Sequence, residues 1–173
     1  HFLTKIEFPE NSELQIIDEI AFKCSRIKEI KIPKSVVEIK KRAFHSCRSL
    51  ENVEIPADSI GERAFNSTGI EKIFFPEHLK KVGMNCFEDS KELKIIDISP
   101  KNNNFLFQED KYLLCKSDNK SANFDILLFS RYDLQEAIIP SNIKIITSYA
   151  FFRYYDHIRV VFPENSELGI IDD

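Results

Sequence analysis

Four cysteines are the side chains of this 173-residue chain best suited to chemistry, because a thiolate is both a nucleophile and a metal ligand. The chain consists of sequence repeats, described below, and Cys24 and Cys47 each lie three residues before the first apolar residue of the next repeat. We therefore assign these two cysteines to equivalent positions, that is, to one column of the aligned repeats. A buried thiol behaves as a small hydrophobic group, and we expect the cysteines to pack in the core. A disulfide between Cys24 and Cys47 is the alternative, because equivalent positions of stacked repeats can lie within bridging range.

The spacing of the reactive residues does not predict catalysis. No Cys-x-x-Cys pair occurs, and no cysteine has metal-ligand spacing to a histidine. The run His45-Ser46-Cys47 lies on a turn between repeats, and nothing supports the geometry of a nucleophile beside its base. The four glycines form no phosphate-binding pattern. We therefore predict a protein that is not an enzyme, with no catalytic, metal-binding or cofactor-binding residues.

Two sequences match the N-glycosylation sequon, Asn66-Ser67-Thr68 and Asn119-Lys120-Ser121. In a chain rich in asparagine and serine, two such matches are close to chance. They bear on function only if the protein is secreted.

Composition excludes two further classes of function. The net charge of -4, with lysines and acidic residues interleaved along the chain, argues against a nucleic-acid-binding module. No apolar run approaches the 18 or more residues of a membrane span, so we expect no direct membrane insertion by this segment. The hydrophobic content of 43% is enough for one domain with its own core.

The elements that must position any functional residue are repeats of about 22 residues, a period typical of solenoid coils. Each repeat reads Leu-x-x-Ile-x-Ile-Pro, a spacer, and Ile-x-x-x-Ala-Phe. Apolar and charged residues alternate before the proline, which predicts one short strand per coil, ended where proline removes a hydrogen-bond donor. An isoleucine or valine five residues before the phenylalanine is expected on the opposite wall. The phenylalanine column consists of Phe22, Phe44, Phe65, Phe87 and, three periods later, Phe151.

The repeat, extended to Ala-Phe-x-x-Cys, resembles the BspA-like leucine-rich repeats found in surface proteins of bacteria and parasitic protists. The resemblance covers essentially the whole chain. It includes Asn104-Phe105 and residues 111–114, which look like the variant coil that this family places between regular repeats. The resemblance implies a leucine-rich-repeat solenoid whose parallel strands line one face, and a role in adhesion to host proteins or to other cells.

We expect residues 1–173 to form a single solenoid with three parts. Residues 1–98 read as regular coils, residues 99–133 as an irregular coil or hairpin insertion, and residues 134–173 as resumed repeats of which the last is truncated. Two apolar runs around a polar segment predict the hairpin, with its polar tip exposed. Because Pro163 begins a second copy of the sequence that follows Pro9, we predict a fragment of a longer array.

The outward positions of the predicted strands are the most informative for function. They are charged in the first half of the chain, as expected for solvated cross-strand pairs, and apolar in the second half. An exposed apolar patch suggests a partner surface, with Phe74 as an aromatic anchor. The alternative is that residues 101–132 fold over the patch and bury it. The candidate partner-binding residues are Phe74, Ile95, Ile138, Ile158 and Val161.

We therefore predict a non-catalytic protein-binding module, a cell-surface adhesin or recognition protein whose ligand is a protein, such as a host or extracellular-matrix protein. The alternative is an intracellular structural scaffold of the same repeat, packed in a larger assembly. Free thiols and an unglycosylated Asn66 would favour the scaffold. Oxidised cysteines and glycosylation would favour the adhesin.

Overall fold

The computed structural model of the protein describes residues 3–118, 121–151 and 158–172. These residues form a β-solenoid of about 6 turns with parallel strands, and they contain no helix. The predicted fold class is therefore confirmed. The strands are β1 (Ile16–Ile17), β2 (Glu29–Lys31), β3 (Glu38–Ile39), β4 (Asn52–Glu54), β5 (Ser59–Ile60), β6 (Lys72–Phe75), β7 (Lys81–Val82), β8 (Ile95–Ile98), β9 (Phe105–Gln108), β10 (Tyr112–Cys115), β11 (Ile126–Ser130), β12 (Glu136–Ile138), β13 (Ile145–Ile146), β14 (Arg159–Val161) and β15 (Ile170–Ile171).

The strands that precede the repeat prolines form the first wall of the solenoid. They pair in parallel as β2 with β4, β6 with β8, and β12 with β14. In β2 and β4 the central Ile30 and Val53 are buried while the charged or polar residues on either side are exposed. The period-2 pattern of the sequence thus corresponds to one face in the core and one face in water.

The opposite wall also consists of strands, which the structure adds to the one strand per coil expected from sequence. Strands β1, β3, β5 and β7 form a four-stranded parallel sheet. Each has two residues, of which the second, such as Ile39 or Ile60, points into the core. Periodicity could not reveal these strands, because two residues are too few for an alternation.

Between the two walls the phenylalanine column forms a ladder of stacked rings, as predicted. Ring centroids of Phe22 and Phe44 lie 5.2 Å apart, those of Phe44 and Phe65 5.2 Å, and those of Phe65 and Phe87 6.2 Å. Phe129 of the irregular coil continues the column by meeting Phe87 edge to face at 6.1 Å. Each ring fills the space above its neighbour, so a coil completes its core only when it is stacked.

The turn that carries each phenylalanine is held by left-handed residues on either side of it. Arg42 and Ser46 flank Phe44 with φ angles of 56° and 60°, and the same two positions are left-handed around Phe22, Phe65 and Phe87. The turns stack through backbone hydrogen bonds, such as Phe44 N–H to the Ala64 carbonyl at 2.8 Å. Non-glycine residues adopt this conformation at a cost, which the stacking bonds offset.

The irregular coil contains the predicted hairpin, since β10 and β11 pair antiparallel. Strand β9 pairs antiparallel with β10 to make a three-stranded meander, and β11 joins β13 in parallel. Glu109 and Asp110, with φ angles of 54° and 53°, form the tight turn between β9 and β10. At the β10–β11 tip, Ser117 and Asp118 are exposed as expected. Buried Asp125 fixes the tip by accepting the N–H and O–H of Ser117, each at 2.8 Å.

Candidate binding face

The outward side of the first wall, called the strand face below, presents the residues that the sequence nominated for binding. Its first half is polar, as predicted. A groove of about 700 Å³ runs over residues 5–8, 29–31 and 52–54. Lys5 and Glu7 pair at 2.5 Å, and this contact raises the pKa of Lys5 and lowers that of Glu7. Such fully solvated pairs contribute little stability but make this half of the face strongly hydrated.

The second half of the strand face is apolar at three of the five nominated residues. Phe74 is 50% exposed, Ile95 47% and Ile138 60%. On paired strands β6 and β8, Phe74 lies opposite Asp97 and Ile95 opposite Lys72, so the two apolar residues are diagonal neighbours. Lys72 and Asp97 form an ion pair at 2.6 Å on the other diagonal. An aromatic ring beside a charged rim has the composition typical of protein interfaces.

The remaining two nominated residues are placed differently. Val161 lies opposite Ile138 on the pair β12–β14, but it is half-buried. Ile158 packs against the core cluster around Tyr112 and Leu114 rather than standing on the strand face. It lies one residue before the exposed Arg159, so its side chain points inward, as the strand alternation requires.

The irregular coil does not bury the apolar residues of the strand face. Phe74, Ile95 and Ile138 each keep about half of their surface or more in solvent with residues 101–118 and 121–132 in place. The alternative that this segment covers the patch is therefore wrong.

A groove of about 330 Å³ beside β8 was not predicted. Its walls are β8 on one side and Phe105, Leu106 and Phe107 of β9 on the other, and Leu106 is 38% exposed. The repeat columns could not reveal it, because β9 has no counterpart in the regular repeat. The alternation in Phe105–Gln108, where buried Phe105 precedes exposed Leu106, was the available signal.

The assignment of Cys24 and Cys47 to one column is wrong. Cys24 is exposed and left-handed, with a φ of 58°, and so corresponds to Ser46 and Ser67. The turn between Phe22 and Ile27 is one residue shorter than that between Phe44 and Leu50, and counting back from the next repeat shifted the alignment. The column of Cys47 instead holds Ser25, Thr68 and Ser90, all buried.

All four cysteines are free, so the disulfide alternative is also wrong. The Cys47 thiol donates to the Phe22 carbonyl at 3.0 Å and lies 3.2 Å from Ser25 Oγ. Burial raises the pKa of Cys47, and it raises the pKa of Cys86 and of Cys115 to about 12 each. These three thiols are therefore unreactive near neutral pH, and the core role expected for Cys86 in its alanine position is confirmed.

The reactive run His45-Ser46-Cys47 does not form a catalytic arrangement. Desolvation, followed by the charges of Lys23 and Arg42, lowers the pKa of His45, and the buried Nδ1 atom of this side chain has no hydrogen-bond partner among the described residues. Within the described ranges, no group of three or more His, Cys, Asp or Glu residues could hold a metal ion. Asn66 of the first sequon is buried, whereas Asn119 and Lys120 of the second lie outside the described residues.

A parallel-stranded solenoid whose coils supply a strand, a proline corner and a stacked phenylalanine is a leucine-rich-repeat protein. The chain belongs to the BspA type leucine rich repeat region family, whose model matches residues 2–117 and 115–171 in 6 copies. Members of this family are often surface-exposed and are generally non-catalytic, and leucine-rich repeats generally mediate protein–protein interaction.

Solved structures share the fold. The pneumococcal vaccine antigen PcpA matches 95% of the chain at 24% identity with a TM-score of 0.79. A leucine rich cell surface protein from Faecalibacterium prausnitzii matches 84% at 25% identity with a TM-score of 0.68. A leucine-rich repeat protein from Eubacterium ventriosum matches 94% at 18% identity with a TM-score of 0.70.

The chain spans only part of each of these proteins, covering 40%, 38% and 48% of their lengths in the same order. A comparison with curated proteins gave no significant match. Among the described residues, no helix is long and apolar enough to cross a membrane.

Proposed function

We propose that this chain is the non-catalytic recognition segment of a cell-surface protein and that it binds a protein partner through the strand face. The observation that carries the proposal is the exposed apolar set Phe74, Ile95 and Ile138 in a repeat family that generally mediates protein interaction. The partner class is a host or extracellular-matrix protein, and the role is adhesion. The structural relative from Faecalibacterium prausnitzii, described as a cell surface protein, supports the location.

Phe74 has the properties of an interface anchor. Its ring is half in solvent on a backbone fixed by the β6–β8 ladder, so binding it costs little conformational entropy. Lys72 and Asp97 stand beside it as a polar rim that excludes water when a partner docks. The alternating charges of the first half of the strand face then favour a partner with complementary charges.

An intracellular scaffold packed in a larger assembly is the second candidate, and two observations favour it. All four cysteines are free, whereas secreted proteins commonly use paired cysteines. Buried Asn66 cannot accept a glycan while the coil is folded, so the first sequon gives no support for secretion.

Localisation separates the two candidates. Intact cells carrying the full-length protein are treated with an external protease, and peptides from this segment are followed by mass spectrometry. Cleavage before lysis is the result expected for the surface protein. Protection until lysis would contradict it and would support the scaffold, whose neighbours cross-linking would then identify.

Alanine substitution tests the binding face. Immobilised fibronectin, laminin and collagen are the first probes for the purified chain. In Phe74→Ala and Ile138→Ala we expect binding about tenfold weaker or more, because each removes a central apolar contact. Val37→Ala is the matched control, since Val37 is 47% exposed beside the second-wall strand β3. Unfolding free energies should change by about 0.5 kcal/mol or less at these exposed positions. Destabilisation without loss of binding would refute the interface.

A further inference from the structure

The first wall has a break between β8 and β12. Among the strands that the structure describes, β8 pairs only with β6, and β12 only with β14. Strands β4 and β6 also lack ladder bonds but lie side by side, whereas the strand that lies equally near β8 is β9 of the second wall, which forms no ladder with it. On the second wall, β10 and β11 lie between β9 and β13. The distance from β9 to β13 is therefore three strand spacings, or about 14 Å. The meander therefore lengthens one wall without supplying strands to the other.

In the part of the chain that the structure describes, the outer edge of β8 forms no ladder with another strand. Ile95 N–H donates to the Glu71 carbonyl at 3.3 Å and Ser99 N–H to the Phe75 carbonyl at 2.9 Å, both toward β6. Since alternate residues of a strand direct their backbone groups to opposite edges, Ile96 and Ile98 point theirs away from β6. Among the described residues, no hydrogen bond to these outward groups is found.

The facing edge of β12 has the side chain of Tyr112 beside it. Ile139 N–H donates to the Val161 carbonyl at 2.9 Å, toward β14, so the groups of Ile138 point toward the break. The Ile138 backbone there faces the hydroxyl of buried Tyr112. Tyr112 therefore stands beside the β12 edge, whereas a groove lies along the β8 edge.

The groove of about 330 Å³ lies along this open edge, and its lining indicates what would fill it. Leu106 and Phe107 of β9 provide an apolar wall. Both ionisable residues of the lining, Asp97 and Asp110, are carboxylates. Asp97 is neutralised by Lys72, whereas Asp110 and Asp133 share the single charge of Arg131, which pairs with Asp133 and donates to the Asp110 carbonyl. The Asp110 carboxylate therefore leaves a net negative charge at one end of the groove.

We propose that an extended segment of the protein partner binds by adding a strand to the outer edge of β8. Its backbone hydrogen-bonds Ile96 and Ile98, alternate apolar side chains contact Leu106 and Phe107, and a lysine or arginine reaches Asp110. The inference rests on the proposed function, which it deepens by naming the backbone edge and the chemistry of the bound segment. Strand addition to an open sheet edge gives affinity through the backbone and specificity through alternate side chains.

A displayed library of random dodecapeptides is the probe, selected on the purified 173-residue chain. We expect enriched peptides to alternate apolar residues and to carry a basic residue. Leu106→Lys, which places a charge in the groove, should weaken their binding about tenfold or more, and Asp110→Asn should weaken it less. Val37→Lys introduces the same charge beside the second wall and should leave binding unchanged. Bound peptide should slow amide hydrogen exchange of Ile96 and Ile98, which NMR resolves residue by residue.

Three results would overturn strand addition: no enrichment, equal binding by Leu106→Lys and the parent chain, or unchanged exchange at Ile98 in the complex. A different result would refute strand addition while leaving the proposed function standing. In that case the peptides would fail to bind the Phe74→Ala variant, would still bind the Leu106→Lys variant, and would leave the Ile98 amide unprotected. N-methylation of alternate backbone nitrogens in an enriched peptide should abolish binding, because the ladder cannot then form. Retained binding by that peptide would contradict the proposal.

Discussion

Replacement of Gly61 by alanine should destabilise the solenoid, because coils two and three touch at this residue. A Cβ on Gly61 would lie 2.5 Å from the backbone nitrogen of Lys41 and 2.6 Å from the carbonyl carbon of Lys40, where real Cβ contacts rarely fall below 3.4 Å. The neighbours are backbone atoms of the preceding coil, so no side chain can move aside. The two coils would have to separate by about 0.9 Å.

The cost of that separation follows from the bonds across it. Gly61 N–H donates to the Ile39 carbonyl at 2.7 Å, and Arg42 N–H to the Glu62 carbonyl at 2.9 Å. A shift of about 0.9 Å takes both beyond bonding distance, at about 1 kcal/mol each, with about 1 kcal/mol more from lost packing. Alanine returns part of this by restricting the unfolded chain, so we expect a net loss of about 2 kcal/mol.

Urea denaturation followed by circular dichroism measures the change, with two controls. Lys40→Ala changes the equivalent position one coil earlier, where the native residue already has a Cβ. This substitution removes only an ion pair with exposed Asp18. Gly169→Ala should be neutral or slightly stabilising, because its Cβ would meet only the Lys144 carbonyl oxygen at 3.8 Å. If Gly61→Ala unfolds at the same urea concentration as Gly169→Ala, the close stacking at this column is refuted.

Two further outcomes test the core. Phe65→Ala should lower the free energy of unfolding by about 3 to 5 kcal/mol, measured by urea denaturation, because the ring is fully buried between two others. Phe22→Ala should cost clearly less, because Phe22 is half-buried at the start of the ladder. Equal costs would contradict the nearest-neighbour ladder. Thiol labelling at pH 8 should modify exposed Cys24 fast and the other cysteines slowly, by mass-spectrometric mapping. Burial raises the pKa of Cys86 and Cys115 to about 12, so the folded state holds these protons more tightly than the unfolded state does. The contribution of these two thiols to the free energy of unfolding is complete below the unfolded thiol pKa near 9 and is lost as pH rises toward 12. Cys86→Ala should remove the part of this pH dependence that comes from Cys86.

The core could be predicted from the sequence because stacking makes it repetitive. Phe44 and Phe65 meet with ring planes 2° apart, and such contact requires the same residue at the same position of successive coils. The strand and the proline corner could be predicted from the sequence for the same reason. Cys24 was misplaced because the turns differ by one residue, and either counting forward from the phenylalanine or the left-handed backbone conformation restores its true column.

The second-wall strands and the groove beside β8 depend on geometry that the sequence does not carry. A two-residue strand such as Ile16–Ile17 exists only because the neighbouring coil supplies its partner. The groove exists because β9 turns back at Glu109 and Asp110 instead of leading to a new first-wall strand. Neither residue is a glycine or an asparagine, the usual signal for such a turn.

Inward and outward positions of this solenoid are under different physical constraints, and this is why we place the proposed function on outward residues and at the irregular coil. An inward residue must pack against the coils on both sides. Replacing it therefore costs stability, whichever binding partner the protein has. An outward residue such as Phe74 or Ile138 matches nothing within the chain, so its exposure is not required by folding. At β8 the same freedom extends to the backbone, because the meander ends the ladder after Ile98. If strand addition is correct, the backbone there supplies affinity, Leu106 and Asp110 supply specificity, and sequence change at either should alter the partner without altering the fold.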